Sequence, residues 1–535
     1  MSESIDNRVK HGSEKRDVNR AAVTVGFYTF LSRVLGLLRD IVVAKYFGSG
    51  MSADAFFVAF RIPNLLRRLF AEGSLTIAFI PVFTEYLRTR SKEEAFQLAR
   101  VVLTLLSIIL TIVTILGILC SPWIVRVQAW GFGISGEKYE LTVLLTRITF
   151  PYIFLVSIVA LFMGILNSMR HFTSPAAAPI FLNAGIIGAT LWLSPYLSQP
   201  IVGVAIGVII GGILQVFLQI PWIIKKGISL FPCWMPDHPA VKRIGLLMLP
   251  AIFGSAIYQF NQFAGTLLAS LLEEGSVSWL YYADRLVQFP LGVFAIALST
   301  ASLPSLAKHA TDMNFDDFTE TLNHTLRLTF FVTIPSIAGL IILGKPIIQI
   351  FFERGAFDPL STDMTAKALI FYSVGLWAFS GARVVVAAFY AFQDTKTPVR
   401  VATITMVINF LLSLLLMGTP LKHGGLALAL SIASSIQFFL LLIFLKRRLL
   451  QWDLRSVSIS AGKAIASSMI MGAVVYFLNV LFLSDSQKEN VGQMVIKLIF
   501  IILAGVIIYF ISAVIMKSRE VKHFKGILFD YRVKR

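Results

Sequence analysis

Long apolar segments recur along nearly the whole chain and restrict its fold more than any other feature. An α-helix needs about 20 predominantly apolar residues to cross the hydrocarbon core of a bilayer. Runs of that length are Val101–Leu119, Ile201–Ile224, Gly424–Leu445 and Val491–Met516. Charged residues make up 14% of the 535 residues, whereas soluble domains contain about 25%. We therefore predict an all-α integral membrane protein.

The apolar pattern predicts about fourteen transmembrane helices. Segments 53–83 and 361–391 are longer than one crossing requires, so we expect them to be tilted or bent. The predicted helices are 24–46, 53–83, 99–120, 141–166, 175–193, 201–223, 244–271, 276–306, 323–343, 361–391, 399–417, 424–445, 458–483 and 492–516.

Basic residues concentrate in alternate connections and predict the orientation of the helices. Arg88, Lys225 and the tail 517–535 fall on one side, whereas the opposite connections 48–52 and 194–200 contain no Lys or Arg. Because basic residues accumulate in cytoplasmic loops, both termini are predicted to be cytoplasmic. The formal charge of +18 has the same explanation, so we do not expect a nucleic-acid partner.

The chain also repeats itself at an offset of about 222–225 residues. Residues 203–205 resemble 425–427, and Pro175 resembles Pro398. The repeat predicts two six-helix lobes that insert in the same sense, related by a pseudo-two-fold axis along the membrane normal. The predicted parts are a basic cytoplasmic tail (1–20), an N-lobe (21–223), a C-lobe (244–445), two further helices (458–516) and a second basic tail (517–535).

Several arginines lie inside the first two predicted helices. A charge at the bilayer centre costs about 2.5–3.5 kcal/mol, so such side chains must face protein or water. Arg33, Arg39 and Arg67 are candidates for a basic cavity that binds an anionic group, because a guanidinium binds phosphate with two hydrogen bonds. The alternative for Arg39 is a local ion pair with Asp40.

Asp54, Arg61 and Arg68 are spaced seven residues apart and form one stripe of the second helix. Arg61 and Arg68 lie near helix ends, so snorkelling to an interface explains them as well as a cavity does. Arg285 lies about ten residues into the eighth helix, where the alternatives are a private pair with Asp284 and a position in the cavity.

Other features have ordinary explanations or are absent. Lys367 and Arg383 are weaker candidates, and the glycines at 203, 207 and 211 indicate close helix packing. The tryptophans at 123, 130 and 192 are interpreted as interfacial anchors. Metal-ligand spacings, phosphate loops and nucleophile motifs are not apparent in the sequence, so we expect neither an enzyme nor a bound metal.

Six ordered motifs stand out along the chain. They are Ser32-Arg33-Val34-Leu35-Gly36, Asp54-Ala55-Phe56-Phe57, Pro63-Asn64-Leu65-Leu66-Arg67-Arg68, Phe70-Ala71-Glu72-Gly73, Tyr281-Tyr282-Ala283-Asp284-Arg285 and Asp394-Thr395-Lys396-Thr397-Pro398. These motifs resemble signatures of the MurJ/MviN family of lipid II flippases, and the similarity covers nearly the whole chain. The extended basic N-terminal tail departs from the family pattern.

The resemblance implies the fold of the multidrug/oligosaccharidyl-lipid/polysaccharide exporter superfamily. It also implies that lipid II, an undecaprenyl-diphosphate-linked muropeptide, is moved from the inner to the outer leaflet of the bacterial cytoplasmic membrane. By motif match, Arg39, Arg67 and Arg285 take the family's diphosphate-binding roles, and Arg33 and Asp54 match further cavity positions.

The resemblance has implications for the lipid tail, the energy source and partners as well. The last two helices would form the groove for the polyprenyl tail, and cell-wall synthesis proteins would be partners beside membrane lipids. Some members have a sodium site with a carboxylate in helix seven. Here that helix has Asn261 and Gln262 but no acid, and Asn409 alone cannot establish a site. We therefore expect no cofactor and a dependence on membrane potential, with the coupling ion left open.

Three rival functions remain open from the sequence. A flippase for another polyprenyl-diphosphate-linked oligosaccharide would use the same anion chemistry. A drug or cation antiporter of the same superfamily would be expected to have an acidic cavity, whereas this one is basic. A membrane scaffold for cell-wall enzymes gives no reason to place so many cations within the bilayer.

Overall fold

The computed structural model describes residues 2–67, 75–449, 452–483 and 490–521, and these residues form helices and connections without any β-strand. Nine helical segments of this part are long and apolar enough to cross a membrane, or ten if one bent pair counts as a span. The predicted all-α, multi-span class is therefore confirmed. The number of fourteen is consistent with these spans but remains a prediction.

The chain divides into two compact units, residues 1–267 and 268–535. Helices of the first unit are α1 (Ser2–Phe47), α2 (Met51–Leu66), α3 (Thr76–Thr89), α4 (Lys92–Leu119), α5 (Ser121–Gln128), α6 (Glu137–Thr149), α7 (Tyr152–Ser168), α8 (Thr173–Trp192), α9 (Ile201–Lys225) and α10 (Pro239–Ser270), whose last residues cross the boundary. Helices of the second unit are α11 (Ser276–Pro290), α12 (Ile296–Thr311), α13 (Phe315–Phe351), α14 (Pro359–Val374), α15 (Leu376–Ala391), α16 (Lys396–Met417), α17 (His423–Arg448), α18 (Arg455–Leu483) and α19 (Val491–Ile515).

The over-long segment predicted at 361–391 is two helices, α14 and α15, with a bend of 42° between them. Gly375 lies at this bend. A Cβ atom there would lie 2.8 Å from the Cα atom of Ser431 in α17, closer than real side chains approach. Ser431 donates a hydrogen bond to the carbonyl oxygen of Phe371, 2.7 Å away. The missing side chain thus lets α17 pack against the bend.

The first unit is held together by close packing between α8 and α9. A Cβ atom on Gly207 would lie 2.9 Å from the Cα atom of Ile186, and one on Gly211 would lie 2.8 Å from the Cα atom of Leu182. Small residues let helix backbones approach closely, which is a main source of helix association in membranes. The predicted packing role of these glycines is confirmed.

In the second unit, α13 packs against the two C-terminal helices, α18 and α19. The Tyr509 hydroxyl donates a 2.6 Å hydrogen bond to the carbonyl oxygen of Phe331. Beyond α19, the Glu520 carboxylate is 3.4 Å from the Arg327 guanidinium. Burial alone would raise the pKa of Glu520, but the hydrogen bond from the Ser518 hydroxyl and the charge of Arg327 lower it below its ordinary value.

Local features recur in the two units at the predicted offset. Ser91 caps the start of α4 by accepting a hydrogen bond from the backbone N–H of Glu94, and Asn314 does the same for α13. Arg170 and Gln393 both adopt positive φ angles, 57° and 58°, in the connections before α8 and α16. At these two pairs of positions, the two units share the same local cap and backbone conformation.

Candidate functional site

Helix α1 presents one arginine to its surroundings and buries another. Arg33 is exposed, and Arg39 is only 9% exposed. Nη2 of Arg39 is 2.7 Å from an Asp40 carboxylate oxygen, and its Nη1 donates a 3.1 Å hydrogen bond to the side-chain oxygen of Asn183 in α8. The local pair considered from the sequence therefore exists, and the hydrogen bond from Arg39 to Asn183 links α1 to α8.

Asp54 lies in the first turn of α2 and is 1% exposed. Its carboxylate is 2.8 Å from Nζ of Lys138, which begins α6 together with Glu137. The same ammonium lies 4.2 Å from the ring centroid of Phe132. The sequence did not indicate Lys138, because the contact joins the first turns of two helices that are 84 positions apart in the chain. Its only signal is that basic residues are rare on the predicted outer side.

Two further arginines of the second predicted helix, Arg61 and Arg67, have polar partners. Nη2 of Arg61 donates a 2.6 Å hydrogen bond to the side-chain oxygen of Gln262, and Nη1 contacts the Thr266 hydroxyl. Nε of Arg67, which is half-buried, donates a 3.0 Å hydrogen bond to the side-chain oxygen of Asn64. Arg68, from the predicted stripe, lies outside the described residues.

In the second unit, Arg285 is exposed on α11 and contacts a tyrosine one turn earlier. Its Nη2 and Nε donate hydrogen bonds of 2.8 and 3.3 Å to the Tyr281 hydroxyl, and the guanidinium lies 5.0 Å from the ring centroid. Asp284 accepts a 3.4 Å hydrogen bond from Gln288. A π-helical turn, residues 291–295, follows α11. Such turns are frequent at functional sites.

The structure also describes the two weaker candidates, Lys367 and Arg383, and a residue considered for a sodium site. Nζ of Lys367 donates a 3.0 Å hydrogen bond to the carbonyl oxygen of Pro420, at a helix end. Arg383 is exposed on α15. The side-chain oxygen of Gln262 already accepts a hydrogen bond from the Arg61 guanidinium, so it is poorly suited to coordinate a sodium ion. Within the described ranges, no group of three or more His, Cys, Asp or Glu side chains could hold a metal ion.

The candidate arginines differ in how exposed their side chains are. Arg33 is exposed and has no hydrogen bond or ion pair with any residue that the structure describes, and Arg285 is exposed beside a neutral hydroxyl. Guanidinium groups keep their charge and bind phosphate through two parallel hydrogen bonds. Each unit therefore supplies a cation suited to an anionic phosphate ligand.

Comparison with known proteins identifies the family. The family model described as lipid II flippase MurJ matches residues 43–487. A probable lipid II flippase MurJ from Vibrio cholerae is 39% identical over 472 residues, covering 86% of this chain and 89% of that protein. The lipid II flippase MurJ of Burkholderia cenocepacia is 37% identical over 434 residues, covering 80% and 84%.

Solved structures agree with the sequence relatives. The lipid II flippase MurJ in an inward closed conformation matches with a TM-score of 0.77 and 32% identity, over 92% of this chain and 98% of that chain. An inward-facing multidrug resistance MATE transporter of the MOP superfamily matches with a TM-score of 0.69 and 15% identity, over 80% and 98%, which shows the shared fold alone. The chain belongs to the MurJ family of lipid II flippases.

Proposed function

We propose that this protein moves lipid II from the inner to the outer leaflet of the bacterial cytoplasmic membrane by alternating access. The observation that carries the proposal is the match to a solved lipid II flippase at 32% identity over 92% of the chain. A binding site for this substrate must hold the diphosphate, its most strongly charged part. Cations within a bilayer are costly, and this chain retains several.

The proposal assigns the diphosphate to a cationic central cavity with Arg33, Arg67 and Arg285 as ligands. The exposure of Arg33 and Arg285 supports this assignment. Arg39 is a fourth candidate that would exchange its contact with Asp40 for one with phosphate. Asp54 has Lys138 as its partner, so we propose that it tunes the charge near the cavity rather than contacting the anion.

The membrane potential supplies a driving force for such an anion. An inside-negative potential favours outward movement by about 2.3 kcal/mol per charge per 100 mV. In the proposed cycle, the inward-open state captures the diphosphate, and the outward-open state weakens the arginine contacts so that the product leaves. The cycle needs no cofactor of its own, and it leaves the coupling ion open.

We further propose that the polyprenyl tail lies against α18 and α19 while the headgroup crosses. These helices carry large exposed apolar side chains, among them Met469, Phe477 and Ile496, which suits contact with an isoprenoid. Both termini are proposed to be cytoplasmic, because basic residues cluster in the connections on that side. Cell-wall synthesis proteins are proposed partners.

Depletion of the protein in its host tests the function. Lipid II would be quantified in each leaflet with a reagent that reaches only the outer one. We expect lipid II to accumulate inside within the depletion period, and re-expression to restore the outer pool. An unchanged leaflet distribution together with altered drug efflux would instead support the antiporter alternative.

A further inference from the structure

A cleft between α5 and α6 has no part in the proposed transport cycle. It has a volume of about 180 Å³ and is lined by Pro122, Tyr139, Glu140, Val143, Leu144 and Arg147. The Tyr139 hydroxyl donates a 3.0 Å hydrogen bond to the carbonyl oxygen of Pro122, which ties the two helices together along one wall. Sites for drug-sized ligands are larger, about 300–1,000 Å³. The cleft therefore suits a small group, and its lining is mostly apolar between two charged side chains.

Two opposite charges face this cleft from one side of α6. Glu140 and Arg147 are seven residues apart, so they share a helix face with their Cα atoms separated by about 10 Å along the axis. Both side chains are exposed. Neither forms a hydrogen bond or ion pair with another side chain in the part of the chain that the structure describes. The cleft therefore offers a ligand one positive and one negative side chain, about 10 Å apart along the helix axis.

The depth of these charges matches the headgroup region of a membrane. The apolar span Glu137–Ser168 has 32 residues, which corresponds to about 48 Å of helix against a hydrocarbon core of about 30 Å. If the span is centred, Arg147 lies about 6 Å below the hydrocarbon boundary, within reach of lipid phosphates by snorkelling. Glu140 lies nearer the water.

The surroundings also indicate an interface. Trp123 and Trp130 are 68% and 58% exposed, as expected for aromatic side chains at the level of the headgroups. Arg126 lies 5.8 and 5.7 Å from their ring centroids. Val143 and Leu144 add apolar surface beside the deeper charge, where the glycerol and first acyl carbons of a lipid would lie.

We propose that this cleft binds the headgroup of a zwitterionic aminophospholipid, with its phosphate on Arg147 and its primary ammonium on Glu140. In such a lipid the phosphate is the deeper group and the ammonium the outer one, which is the order of the two side chains. In the predicted topology the lipid belongs to the outer leaflet. None of the residues that line the cleft is among the proposed diphosphate ligands, so the inference goes beyond the proposed function.

Native mass spectrometry of the purified full-length protein tests the lipid preference. Phosphatidylethanolamine and phosphatidylglycerol with identical acyl chains would be titrated separately. We expect wild type to bind phosphatidylethanolamine about tenfold more tightly, because the Glu140 carboxylate would form a charge-assisted hydrogen bond with the ammonium alone. Equal affinity for the two lipids would overturn the proposal.

Two substitutions separate the roles of the charges. Arg147→Gln should lower the affinity for both lipids about tenfold, since both carry the phosphate. Glu140→Gln should lower the affinity for phosphatidylethanolamine alone and make it equal to the affinity for phosphatidylglycerol. Matched controls are Glu137→Gln, one turn earlier outside the cleft, and Arg400→Gln, an exposed arginine of α16. If Arg147→Gln and Glu140→Gln weaken lipid binding no more than the two control substitutions do, the assignment is contradicted.

A soluble competitor distinguishes a lipid site from a site for free phosphate esters. Glycerophosphoethanolamine carries the same charges without acyl chains, so we expect it not to displace the lipid at equal concentration. Displacement would refute the lipid assignment. If Arg147→Gln does not fold, Glu140→Gln decides alone, because a variant that keeps the wild-type lipid preference would overturn the proposal.

Discussion

The ion pair between Asp54 and Lys138 should be one of the most sensitive contacts in the first unit. The two charged atoms are 2.8 Å apart, and the Asp54 side chain is 1% exposed. At this distance and an effective dielectric constant of about 20, the gross attraction is about 6 kcal/mol. Desolvation of both groups offsets much of this attraction. The net effect is therefore measured by removing one partner at a time.

Lys138→Met should be the more harmful single substitution. Loss of one partner of a buried pair costs about 3–5 kcal/mol, and the low end, about 3 kcal/mol, applies because the Lys138 side chain keeps 19% exposure. Asp54→Asn should cost less, since the freed ammonium can reach water. In the double variant, Asn and Met leave no buried charge, so the double variant should be more stable than Lys138→Met alone.

Unfolding of the detergent-solubilised protein by sodium dodecyl sulfate measures these differences. The four proteins form a double-mutant cycle, in which contacting residues give coupling energies of about 0.5–3 kcal/mol. We expect a coupling in the upper half of that range. Strictly additive effects of the two substitutions, or a double variant less stable than Lys138→Met, would refute the pairing as an energetic contact.

Three further predictions follow from other contacts. Arg285→Ala should abolish lipid II flipping at wild-type expression, measured by leaflet distribution in the depleted host, and full activity would exclude the residue as a phosphate ligand. Gly211→Ala should destabilise the protein by about 1–3 kcal/mol through overpacking, whereas Gly245→Ala, with open space around it, should not; equal unfolding curves would contradict the packing. Asp394→Ala should cost about 1 kcal/mol, because it removes the hydrogen bonds that the carboxylate accepts from Thr397 at the start of α16. Burial would raise the pKa of Asp394, but hydrogen bonds from Thr397 lower it overall. The carboxylate therefore stabilises the fold at pH values above the ordinary aspartate pKa, and this stabilisation should disappear as the pH falls through the lowered pKa. A stability difference between Asp394→Ala and wild type that does not change with pH would contradict this.

The fold class could be predicted from the sequence because its signal is local. Apolar length alone requires helices in a membrane, and the repeated caps at Ser91 and Asn314 follow from short-range patterns. The motif around Asp394 also has a local explanation. Its carboxylate accepts hydrogen bonds of 3.0 and 2.8 Å from the backbone N–H and hydroxyl of Thr397 at the start of α16.

The partners of the charged residues could not be predicted, because they depend on tertiary contacts. Lys138 reaches Asp54 across 84 positions of chain, and Asn183 reaches Arg39 across 144. The sequence left open whether Arg39 pairs locally, and the structure shows that it does. The break at Gly375 was expected only as a tilt or bend, since its position depends on the approach of α17.

Lipid II flipping by the purified protein in liposomes tests the central claim most directly. With fluorescent lipid II in both leaflets, an externally added quencher reports the fraction that becomes accessible. An imposed inside-negative potential should speed outward movement by the wild type, and Arg33→Gln with Arg285→Gln should reduce movement to the rate of empty liposomes. Wild-type flipping that persists in this double variant would contradict a carrier in which fixed arginines hold the diphosphate.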